Sequence, residues 1–101
     1  MKAVVLAVLI LIAAIAPAQA DQRLSNCGYI SDMARAVMMA RQAGMTAREL
    51  REMDTRFPDL IERLIISAWS EYDRMADPEW QEFVIGEFAD EWYVVCLMAS
   101  Q

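Results

Sequence analysis

The sequence predicts an all-α domain: a small bundle of about four helices, one of them short, stapled by one disulfide and preceded by a cleavable signal peptide. Three observations carry this. Apolar residues recur with the helical period from Cys27 onward, and no stretch alternates as a half-buried strand would. Start and stop signals cut that pattern at short intervals: Gly44, Thr46-x-x-Glu49, Phe57-Pro58 and Asp77-Pro78. Two cysteines, Cys27 and Cys96, stand near the two ends of what remains once the leader is set aside.

The leader is residues 1–20. Lys2 gives a short positive start, Ala3 to Ala16 is an unbroken apolar run, and Pro17 breaks it. Ala18-Gln19-Ala20 then offers the small-x-small pattern cut by a signal peptidase. A comfortable membrane span needs about 20 apolar residues, more than this run holds. The expected product is one helical domain, residues 21–101, exported to the periplasm or secreted. A lipidated Cys27 is the competing expectation. Against it, Asn26 is too large for the position before a lipidated cysteine, Asp21 and Arg23 separate Cys27 from the apolar run, and Cys96 would lose its partner.

The first helix is expected from about Cys27 to Ala43. Cys27, Ile30, Met33, Ala34, Val37 and Met38 share one face, and Gly44 ends it as a left-handed cap. Thr46 and Glu49 fit a capping box for a short second helix, about Ala47 to Thr55, with Met45 and Leu50 placed as its hydrophobic staple. Phe57-Pro58 turns the chain, because a residue before proline resists the helical conformation. A third helix follows from about Asp59 to Ala76. Leu60, Ile61, Leu64, Ile65, Ala68, Trp69, Tyr72 and Met75 form its stripe. Asp77 caps and Pro78 starts a fourth helix that continues to about Ala99.

Without Lys2 the chain carries eight arginines, no lysine and fifteen carboxylates, a formal charge of −7. Such acidity argues against nucleic acid and anionic membranes, and permits solubility or a basic partner. A domain of about 80 residues is marginal without a staple. In an oxidising compartment Cys27 and Cys96 should pair, contributing about 4 kcal/mol through chain entropy. They lack the close spacing of a catalytic redox pair.

The chain has no histidine, so histidine triads, metal sites and pH switches are excluded. The mature chain has no lysine for Schiff-base chemistry, and Gly28, Gly44 and Gly86 make no phosphate loop. The methionines past the leader read as adaptable core packing rather than a soft-metal site. No carboxylate pair is marked out for hydrolysis. The expectation is a protein without catalytic residues, metal or cofactor.

Some residues break the pattern. Arg41 sits within the first apolar stripe and Glu71 within the third. Glu91 lies among Trp80, Val84, Phe88, Trp92 and Val95 on the fourth. Arg41 either pairs with Glu91 or Glu71 in a partly buried ion pair, or snorkels to water at its helix C-terminus. The fourth helix also carries a second apolar stripe, Phe83, Gly86, Tyr93, Val94 and Leu97, interrupted by Asp90. A helix apolar on two sides is either central to its domain or half of an interface, with a second copy or another protein.

The order Cys27, Ala34, Met38, Arg41-Gln42-x-Gly44, then Ala68, Trp69 and Tyr72, then Phe88 and Cys96 resembles a group of small exported bacterial α-helical proteins with one terminal cysteine pair. That group has no assigned activity, so the resemblance implies fold and compartment only. In outline the chain is also similar to periplasmic acid-stress chaperones, but lacks their lysines. Asn26-Cys27-Gly28-Tyr29-Ile30 is similar to one group of periplasmic immunity proteins, whose further cysteines are missing here. The functional expectation is a non-enzymatic exported protein acting by protein interaction or in envelope maintenance. The alternatives are an immunity-type inhibitor of a basic enzyme or toxin, and an acid-activated chaperone.

Overall fold

The computed structural model describes residues 26–53 and 56–100. The leader at 1–20 and Thr55 lie outside them. Among the described residues there are four helices: α1 (26–42), α2 (Ala47–Met53), α3 (Pro58–Glu71) and α4 (Pro78–Ala99). None is long and apolar enough to cross a membrane.

The stop after α1 is built as the sequence implies. Gly44 takes φ 96°, its N–H donates to the Arg41 carbonyl, and the Met45 N–H reaches back to the Ala40 carbonyl. Those two bonds satisfy carbonyls that the helix end leaves free. At α2 the Thr46 hydroxyl accepts from the Glu49 N–H at 3.1 Å. The return half of the box differs from expectation. The Glu49 carboxylate accepts from the Thr46 hydroxyl at 2.9 Å rather than from a backbone N–H. Pro58 opens α3, and at α4 the Asp77 carboxylate accepts from the Glu79 N–H at 2.8 Å.

The core joins three helices. Ala34, Val37 and Met38 of α1 meet Ile61, Leu64, Ile65 and Ala68 of α3 and Val84 and Phe88 of α4. Short α2 buries no residue fully; Ala47 and Leu50 lie against the core, and the exposed Arg51–Glu62 pair at 3.7 Å reaches across to α3. The Cys27–Cys96 disulfide spans a sequence separation of 69 with Cα atoms 5.4 Å apart. It ties the first described turn of α1 to the last turn of α4, and about two turns earlier along α4 the Ala89 carbonyl accepts from the Ser31 hydroxyl at 3.0 Å.

Two expectations need correction. Helix α3 ends at Glu71, not near Ala76, and Tyr72 is extended at φ −130°, ψ 134°. The cause is a clamp from the end of α1. Gln42, 2% exposed, donates through Nε2 to the Asp73 carbonyl at 2.9 Å, while its Oε1 accepts from the Met75 N–H at 2.7 Å. Arg41 Nε donates to the Tyr72 carbonyl at 2.9 Å, and Arg74 Nε returns to the Gln42 carbonyl at 3.1 Å. Gln81 Nε2 holds the Met75 carbonyl at 2.6 Å. These bonds give the 72–75 backbone partners that a continued helix would otherwise supply, so the extended path is satisfied. The second correction concerns α4. Val84 and Phe88 are buried, but Trp80 and Val95 of the same expected stripe stand in solvent.

Candidate functional site

Helix α4 is apolar nearly all round, and the fold uses one arc of it. Val84, Phe88 and Ala89 face inward, and Ile85 and Trp92 pack at the margin of the core. Trp92 brings its Nε1 out of solvent without a hydrogen-bond partner. On the remaining surface Trp80, Phe83, Val94, Val95 and Met98 each keep between 47% and 67% of their area exposed. Trp80 and Phe83 stack edge to face with centroids 5.7 Å apart, a favourable arrangement for an aromatic pair.

The second stripe falls on or beside this outer surface. Phe83 and Val94 are exposed, and Gly86, Tyr93 and Leu97 are half-buried at its border. None of the five belongs to the buried core. A Cβ placed on Gly86 would meet nothing within 4 Å, so the glycine leaves open space rather than seating another helix of the fold.

The same surface is acidic. Helix α4 bears Glu79, Glu82, Glu87, Asp90 and Glu91, all exposed, and no basic residue. Like charges three or four residues apart, such as Glu87 with Asp90 and Glu91, weaken a helix. Tyr72, Glu87, Asp90, Glu91, Val94 and Val95 line an open depression of about 500 Å³. It combines apolar walls with an acidic rim.

Tyr72 connects this face to the interior. Its ring meets Phe88 edge-on at 5.5 Å, and its hydroxyl donates to Glu91 Oε2 at 2.9 Å. Burial, then the Glu91 hydrogen bond, then the negative field of Glu91, Glu87 and Glu71 raise its pKa well above the ordinary phenol value.

Arg41, Glu91 and Glu71 do not form an ion pair with one another. Arg41 holds the Tyr72 carbonyl and lies over the Trp69 ring, 4.9 Å from its centroid. Glu91 takes the Tyr72 hydroxyl from the opposite side, and Glu71 accepts from the Ser67 hydroxyl at 3.2 Å. The early end of α3 brings this about. It exposes a carbonyl to Arg41, whose charge then spreads over an aromatic face instead of needing a carboxylate.

Sequence reasoning did not assign Tyr72, Glu87 or Met98 to this surface. The signal available was the charge pattern of α4: five acids and no base on a helix otherwise dominated by apolar residues. Both cysteines are consumed in the disulfide, histidine is absent, and among the described residues no cluster of His, Cys, Asp or Glu could hold a metal ion. No family model, curated protein or solved structure matches the chain.

Proposed function

We propose that this chain is a non-enzymatic protein-interaction module, exported to an oxidising compartment, that presents the outer face of α4 to a partner. One observation carries the reading: Trp80, Phe83, Val94 and Met98 of α4 stay more than half exposed while Val84, Phe88 and Ala89 of the same helix fill the core. Clustered exposed apolar groups with aromatics among them are the usual anchors of protein contacts. The disulfide supports the compartment, since such bonds persist where thiols are not kept reduced. Envelope maintenance and immunity-type inhibition are both served by such a face.

Site-specific photo-crosslinking in the host cell tests the reading. A crosslinker in place of Val94 should give a discrete adduct, and one in place of the exposed Arg48 on α2 should not. Equal adducts from both sites, or none from Val94, would overturn it.

A second reading draws on the same carboxylates. In strong acid the formal charge of the whole chain changes sign, from an excess of carboxylates to an excess of arginines, and self-repulsion of that kind loosens a fold and frees apolar surface, as an acid-activated chaperone requires. Suppression of client aggregation in acid but not at neutral pH would favour it.

A further inference from the structure

Resting on the interaction reading above, we propose that the occupant of the α4 face is a cationic amphipathic helix of another protein. The face has apolar ends and an acidic middle. Trp80 and Phe83 form one end, Val94 and Met98 the other, and Glu87, Asp90 and Glu91 lie between them. Phe83 and Val94 stand about 16 Å apart along the helix axis at 1.5 Å per residue. A partner helix reaches both ends by placing apolar residues at matching intervals and basic residues between them.

Charge decides against the other occupants. A second copy docked antiparallel with Phe83 over the copy's Val94 places Glu87 of each chain opposite Asp90 of the other. Helix α4 holds no basic residue to relieve the contact. Like charges at a closing interface lose water and repel. An anionic lipid surface is repelled for the same reason. A row of Lys or Arg instead neutralises the unfavourable acidic spacing within α4 itself.

The test uses the disulfide-bonded protein purified from its host and three synthetic amphipathic peptides that span α4. All share the same leucine positions, and carry Lys, Gln or Glu between them. Calorimetry should find binding by the Lys peptide, weakened by added salt, and none by the Glu peptide. The Phe83→Ser variant and the Glu87→Gln/Asp90→Asn variant should each weaken binding by roughly tenfold, since they remove an apolar anchor and two facing charges. A Glu49→Gln/Glu52→Gln variant, altered on α2 alone, should bind as the wild type does.

Equal binding of the Gln peptide would overturn the cationic partner while leaving the face as an interaction surface, which the Val94 crosslinks judge separately. Equal weakening by the α2 variant would show diffuse charge attraction and overturn the proposal. So would concentration-dependent dimerisation that Phe83→Ser abolishes, because the occupant would then be a second copy.

Discussion

Replacing Gln42 by alanine should unfasten the turn between α3 and α4. Gln42 is almost fully buried, and its amide satisfies two backbone groups that lie 31 and 33 residues further along, the Asp73 carbonyl and the Met75 N–H. Alanine leaves both without that partner. An unsatisfied buried backbone group costs about 1–3 kcal/mol. Asp73 is exposed and Met75 half-buried, so water recovers part of that and the lower half of the range applies. The expected loss is about 2–4 kcal/mol, a large share of the roughly 5–15 kcal/mol that holds a domain together. At this size it lowers Tm by roughly 10 °C or more. Urea unfolding followed by circular dichroism measures the loss, and hydrogen exchange should show the Met75 amide losing protection before the core amides do. Gln42→Glu is the informative control. At neutral pH the introduced carboxylate accepts from Met75 but has no proton for the Asp73 carbonyl. Its protonation in acid restores a donor and an acceptor, so the deficit relative to wild type should narrow as pH falls. A Gln42→Ala variant within about 0.5 kcal/mol of wild type would refute the clamp, since that is the scatter of neutral surface changes.

Other consequences follow from the same packing. Cys27→Ser/Cys96→Ser should destabilise by about 4 kcal/mol, the chain-entropy value for so long a loop, as read by urea titration without reductant. The Tyr72 phenol is raised in the folded state, so it adds no pH dependence below the unfolded value of about 10 and drains stability as pH climbs beyond it. Tyr72→Phe should remove that alkaline component, which phenolate absorbance and unfolding at high pH both report. Two glycines should respond oppositely to alanine. Gly44→Ala should lose about 1–2 kcal/mol, because φ 96° disfavours a Cβ that would also lie 3.1 Å from the Arg74 guanidinium. Gly86→Ala should gain about 0.5–1 kcal/mol, since it is helical and its Cβ meets open space. Both are read from thermal melts.

The sequence signals that proved reliable are local ones. Gly44, Thr46 with Glu49, and Asp77 with Pro78 act within one turn of backbone, so their residue types suffice to mark helix ends. Position 27 and position 96 needed only an oxidising setting to be paired. The end of α3 was illegible because its cause is remote. Tyr72 and Met75 continue the helical spacing, and only the fold brings Gln42 and Arg41 against their backbone. Helix α4 posed a different problem. With apolar residues on nearly every side, spacing cannot tell which arc turns inward: Trp80 and Val95 share the helical stripe of Val84 and Phe88, yet they stand outside the core. For Arg41 the missing information was the Trp69 ring and the freed Tyr72 carbonyl, which give its half-buried guanidinium partners other than a carboxylate.

A partner surface on the outer arc of α4 must be one that the fold itself does not need. The stability of Phe83→Ser/Val94→Ser tests that requirement most directly, measured by urea unfolding of the isolated disulfide-bonded chain beside Phe88→Ala. Both substituted side chains of the double variant are more than half exposed, so it should lose no more than about 1.5 kcal/mol. Phe88→Ala, which empties the core, should lose about 3–5 kcal/mol. A double variant as damaged as Phe88→Ala would rule out a free outer face on α4, because Phe83 and Val94 would then be part of what holds the domain together.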